Sequence, residues 1–81
     1  MTVVIGRGSE TRAEIELTVN GMPRRVAQAV TVAEYLGSLS IDPRAVVVEH
    51  NGNILRDHDS LSGVRLSEGD QLEIVHFVGG G

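Results

Sequence analysis

The residues best placed to do chemistry are the last ones. Gly79, Gly80 and Gly81 follow an apolar run, Val75-His76-Phe77-Val78, and the sequence then reads as ending in a free carboxylate. Glycine has no Cβ, so three in a row form a thin cord that reaches roughly 10 Å when extended and enters channels closed to any side chain. Frayed ends are the usual meaning of terminal glycines. A cord anchored directly on a strand-like segment is a different case, and its carboxylate, at Gly81, is the expected reactive group. Asp57-His58-Asp59 gathers three potential metal ligands, but no second cluster stands at helical or hairpin spacing, and a solvated turn is the better reading. Gly6-Arg7-Gly8-Ser9 after Val3-Val4-Ile5 has the look of a phosphate-binding turn, yet it lacks the third glycine, the lysine and a following helix. The serines have no paired histidine and acid in a recognisable arrangement, so nothing supports nucleophilic catalysis by the chain itself.

Composition narrows the chemistry further. The 81 residues include no cysteine, which removes disulfides, thiolate metal sites and any sulfur carried as a side-chain persulfide. Seven basic against eleven acidic residues give a formal charge of -4, which repels phosphate backbones, and one Tyr and one Phe offer almost no stacking platform for bases. Nucleic acid is not an expected partner. The longest apolar runs, such as Ala45-Val46-Val47-Val48, are too short to span a bilayer, and the start lacks the pattern of a signal peptide. A soluble cytoplasmic protein of one domain is expected, with no membrane association and no tightly bound cofactor.

The elements that must position the tail follow from periodicity. Residues 1–13 show little pattern and read as a flexible N-terminal extension. From Glu14, Ile15, Leu17 and Val19 alternate with Glu16 and Thr18, the period of a half-buried strand. Asn20-Gly21 is the pair that most readily takes two positive φ angles, so a hairpin is expected, returning over Arg24 to Ala29 with Pro23 near its start. Thr31-Val32-Ala33-Glu34 is a capping box and predicts a helix whose apolar face carries Val32, Leu36 and Leu39, with Tyr35 at its border. Asp42-Pro43 stops that helix no later than Ile41. A strand is expected over Ala45 to His50, with Val46, Val48 and His50 inward, closed by the turn Asn51-Gly52. Residues 53–67 are mixed, with Ile54-Leu55 a short strand and Leu61, Val64 and Leu66 as core anchors. After the turn Ser67-Glu68-Gly69-Asp70, Gln71 to Val78 is the last strand, with Leu72 and Ile74 inward.

One short helix can be covered only by the sheet. The order hairpin, helix, strand, irregular segment, strand therefore predicts an α+β fold of the β-grasp or ubiquitin-like kind, a mixed sheet of four to five strands rolled over one main helix. In such a roll the first and last strands are adjacent and parallel at the centre. The expected organisation is an extension over 1–13, a β-grasp domain over 14–78 and a flexible, reactive glycine tail over 79–81. Val75 and Phe77 fall on the face opposite Leu72 and Ile74, so they are expected outward as a docking patch beside the tail, with Val78 next to them. His76 shares the Leu72 face at the strand end and reads as a structural histidine, with partner contact as the alternative.

In combination, the phrases TVAEYLGSLSIDPRAVVVEHNGNIL and LSEGDQLEIVHFVGGG resemble the ThiS family of thiamine-pathway sulfur carriers, over about residues 15 to 81. The resemblance implies a carrier that is a co-substrate rather than an enzyme. In that reading Gly81 is adenylated at the expense of ATP by a partner related to ubiquitin-activating enzymes. The acyl adenylate becomes a thiocarboxylate, with sulfur from a donor such as a cysteine desulfurase, and the sulfur passes to thiazole synthase. A thiocarboxylate holds sulfur without a thiol side chain, which suits a chain lacking cysteine. Three departures stand out: the extra residues 1–13, Leu55-Arg56-Asp57 where relatives often carry Pro-Arg, and Ser40 where the helix commonly ends in glycine. The rival readings are the small subunit of molybdopterin synthase, which typically has an aromatic-proline-proline phrase that Glu73-Ile74-Val75-His76-Phe77 lacks, a ubiquitin-like protein modifier, and a plain binding module.

Overall fold

The computed structural model describes residues 13–77. Two glycine-assisted hairpins build most of its sheet. Strand β1 (Glu14–Val19) turns through Asn20 and Gly21, with φ of 50° and 82°, into β2 (Met22–Ala27). Strand β3 (Val46–His50) turns in the same way through Asn51 and Gly52, with φ of 50° and 87°, into β4 (Asn53–Leu55). Both turns have the twist that matches flanking strands, because each central residue sits at positive φ. The last strand, β5 (Gln71–His76), enters between the hairpins, parallel to β1 and antiparallel to β3, so the sheet order is β2-β1-β5-β3-β4. Pro23 lies on the edge strand β2, where its missing N–H is harmless.

Helix α1 (Val32–Ser38) covers the sheet. Its start is fixed as the sequence predicts: Thr31 Oγ1 accepts from the Glu34 N–H at 3.1 Å, and Glu34 Oε1 accepts from the Thr31 N–H at 2.9 Å. Ile15, Leu17, Val19, Val46, Val48, Leu72 and Ile74 supply the sheet side of the core, and Val32, Tyr35, Leu36, Leu61 and Leu66 close it from above. The β-grasp expectation holds, with five strands and one main helix.

Several boundaries differ from the sequence reading. Strand β2 spans Met22–Ala27 rather than Arg24 to Ala29, because a two-residue turn leaves no slack and Ala29, at φ 73°, has left the strand. The helix stops at Ser38, within the limit that Asp42-Pro43 sets at Ile41. Its end is a Schellman motif, in which the Ile41 N–H donates to the Leu36 carbonyl and the Ser40 N–H to the Gly37 carbonyl, with Ser40 at φ 60°. Leu39 is consequently outside the last turn and 46% exposed, while Tyr35 is buried in the place expected of it. Asp42-Pro43 instead opens a short 3-10 turn (Pro43–Ala45), in which the Asp42 carboxylate accepts from the Arg44 N–H, so β3 begins at Val46. The mixed stretch contains a second 3-10 turn (His58–Gly63) that drops Leu61 into the core; beyond it, the Leu66 N–H bonds to the Val30 carbonyl. Ala13 already joins the first hairpin, its carbonyl accepting from the Gln28 N–H. The expectations for residues 1–12, including Gly6-Arg7-Gly8-Ser9, lie outside the described residues.

Candidate functional site

The strand that leads to the glycines is held on both sides and well anchored where it begins. Asp70 sits just before β5 with its side chain 13% exposed; its carboxylate takes a hydrogen bond from His50 Nε2 at 2.8 Å, from Asn51 Nδ2 at 3.1 Å and from the Ser67 N–H at 2.8 Å. Desolvation pushes its pKa upward, but the hydrogen bonds from His50, Asn51 and Ser67 outweigh it and leave the carboxyl below the ordinary Asp value. Asn51 completes the cluster by accepting from the Gln71 N–H at 2.8 Å. His50 faces inward as expected and is half-buried. Its partner Asp70 carries no signal in the sequence, because the two are twenty residues apart.

The other end of β5 is open. On one side β1 stops at Val19, and the Asn20 side chain replaces its backbone: Oδ1 accepts from the Ile74 N–H at 2.7 Å and Nδ2 donates to the Ile74 carbonyl at 3.2 Å. On the other side the last bond runs from the Phe77 N–H to the Ala45 carbonyl at 3.0 Å. Val75 and Phe77 point to the outer face of the sheet, 59% and 60% exposed, as their parity predicts. Val47 lies opposite Val75 in register, and Ile54, 47% exposed, stands on the same face of β4. Val47 and Ile54 are the patch residues the sequence reading missed; the alternation Val46-Val47-Val48 was the signal for Val47.

His76 belongs to the opposite face. It is exposed and lines a groove of about 240 Å³ with Asn20, Met22, Tyr35, Leu39 and Ile41. The residues expected to act together therefore divide, with Val75 and Phe77 on one surface and His76 on another. Val78, Gly79, Gly80 and Gly81 lie outside the described residues. Asp57-His58-Asp59 forms the expected turn, with the Asp57 carboxylate accepting from the Asp59 N–H at 2.9 Å. Among the described residues no three His, Asp or Glu side chains are grouped to hold a metal ion, and no helix is long and apolar enough to cross a membrane.

Residues 17–81 match the ThiS family. The chain is 42% identical over 67 residues to the thiazole synthase of Paramagnetospirillum magneticum, covering 83% of this chain and 20% of that protein. It is 34% identical to the thiazole synthase of Magnetococcus marinus, with the same coverage, so it spans about 20% of the length of these curated relatives. The sulfur carrier protein ThiS of Bacillus subtilis is 41% identical over 54 residues, which are 63% of this chain and 76% of that one. The crystal structure of the thiamine biosynthesis protein (ThiS) from Geobacter metallireducens superposes with a TM-score of 0.70 at 36% identity, covering 83% of this chain and all of that one.

Proposed function

The chain belongs to the ThiS family, the sulfur carriers of thiamine biosynthesis, and on that premise we propose that Gly81 is the residue that carries the sulfur. A carboxylate is a poor electrophile. Its oxygen attacks the α-phosphorus of ATP on an activating enzyme of the ubiquitin-activating type, pyrophosphate leaves, and an acyl adenylate forms. The outer sulfur of a persulfide, on a donor such as a cysteine desulfurase, then attacks the acyl carbon and AMP departs, leaving an acyl disulfide. A thiol reductant attacks the donor's sulfur of that S–S bond, forming a disulfide with the donor and releasing the thiocarboxylate.

The observation that carries this reading is the extent of the family match, which runs through Gly79, Gly80 and Gly81. The geometry supports it: the glycines follow in sequence on β5, which is the central strand of the sheet. The absence of cysteine supports it too, since the chain has no thiol on which to hold a persulfide. Thiazole synthase is the proposed acceptor, because two thiazole synthases contain a segment like this chain. The chain is then a co-substrate of cytoplasmic enzymes. Val75 and Phe77, with Val47 and Ile54, form the surface those enzymes grip, with Val78, the next residue in sequence, as a further contact and His76 touching the partner from the other face.

Co-expression with the activating enzyme and a sulfur donor tests this. The intact protein gains the mass of one oxygen-to-sulfur exchange, in an ATP-dependent manner. Conversion into high-molecular-weight lysine adducts instead would mean a protein modifier.

A further inference from the structure

On the outer face of the sheet, Glu49 of β3 and Glu73 of β5 stand directly opposite each other in register. They occupy a hydrogen-bonded antiparallel position, which brings their Cα atoms to about 5.5 Å. Like charges so placed destabilise a sheet. The other acidic residues of this face are compensated: Arg25 reaches Glu14 at 3.3 Å and Glu16 at 3.9 Å. Among the described residues neither Glu49 nor Glu73 is within ion-pair distance of a cation. Immediately beside them lies the apolar patch, with Ile54 opposite Glu49 and the pair Val47 and Val75 one step further along the strands, while Arg56 and His58 line its far rim with Phe77.

From this arrangement we infer that the outer sheet face docks a protein surface with an apolar centre and a basic side chain seated between Glu49 and Glu73. The inference rests on the proposed docking role of Val75 and Phe77 and adds the chemistry of the partner. Charge complementarity selects the occupant: an acidic pair at one rim with no cation in ion-pair reach among the described residues, on a chain of net charge -4, attracts a lysine or arginine. Arg56 at the opposite rim gives the patch a direction, so a partner reversed on it would set like charges together. A bound cation also removes the repulsion that the free protein carries, so the pair favours the complex over the free state.

The test separates stability from binding, which this arrangement drives in opposite directions. In the isolated protein, Glu73→Lys creates an attractive cross-strand pair with Glu49 and raises the melting temperature, and Glu73→Gln raises it less. Against purified thiazole synthase, measured by calorimetry with the unthiolated protein, Glu73→Lys weakens binding by about tenfold or more, the scale of one desolvated charge contact, and Glu73→Gln by less. Wild-type affinity falls as salt is added, and that slope flattens in both variants. Wild-type affinity in Glu73→Lys, or salt-independent binding by the wild type, overturns the inference. Because binding is read without thiolation, a thiocarboxylate that forms normally on a protein with no affinity for thiazole synthase refutes the docking surface and leaves the tail chemistry standing.

Discussion

The two ends of β5 are built on opposite plans. Where the strand begins, Asp70, His50, Asn51 and Ser67 satisfy one another around a mostly buried carboxylate. Where it ends, a valine and a phenylalanine stand more than half exposed, and a borrowed side chain, Asn20, completes the pairing that β1 no longer supplies. Stability is concentrated at the first end. The second has its backbone paired but leaves apolar side chains in water, the state expected of a surface that meets partners. Both ends flank one short strand, so anchoring and partner contact fall to different residues of the same element.

Substitutions can break this contrast at graded strengths. The largest loss of stability is expected from Leu72→Ala, in the middle of the anchored half: Leu72 is fully buried, and emptying its site costs about 2–5 kcal/mol, read by urea denaturation. Asp70→Ala comes next at about 1–3 kcal/mol, because it strands the Ser67 N–H and the Asn51 amide. Thiolation of whatever fraction remains folded should be unchanged in both. The same carboxylate sets an acid limit. Its folded pKa lies below the unfolded value, so its stabilising contribution is complete above the ordinary Asp pKa and is lost as pH falls through the lower, folded one. Denaturation midpoints measured down the acid range should fall less steeply in Asp70→Asn than in the wild type; equal slopes would show that this pair does not govern acid stability. At the open end the expected stability effects are smallest. Phe77→Asp should change stability by less than about 0.5 kcal/mol, as surface substitutions do, and yet weaken binding to thiazole synthase. Loss of stability and binding in step would show the ring to be buried.

Much of this contrast is written locally. The alternation through Ile15, Leu17 and Val19, the Asn-Gly pairs and the Thr31/Glu34 capping box each specify an element through neighbours in sequence, and all are realised. The outward direction of Val75 and Phe77 follows from parity alone. The helix end was less legible, because Ser40 adopts a left-handed conformation that its residue type does not announce. In residues 53–67 the short strand at Ile54-Leu55 and the anchors Leu61 and Leu66 were legible, but the 3-10 turn was not, because its repeat is too short to leave an amphipathic trace. Contacts that need two distant segments had no local signal: the His50 and Asp70 pair, the Asn20 stand-in against Ile74, and the facing glutamates Glu49 and Glu73 appear only once the strands are in register.

The central claim is that chemistry resides at the carboxyl of Gly81 and owes nothing to the fold beyond presentation. Fragment-ion mass spectrometry of the wild type and of a variant lacking Gly81, each co-expressed with the activating enzyme, tests it directly. The account predicts sulfur on Gly81 in the wild type, none in the shortened protein, and the same melting temperature for both. Sulfur located elsewhere, or a shortened protein thiolated at the normal rate, would contradict it.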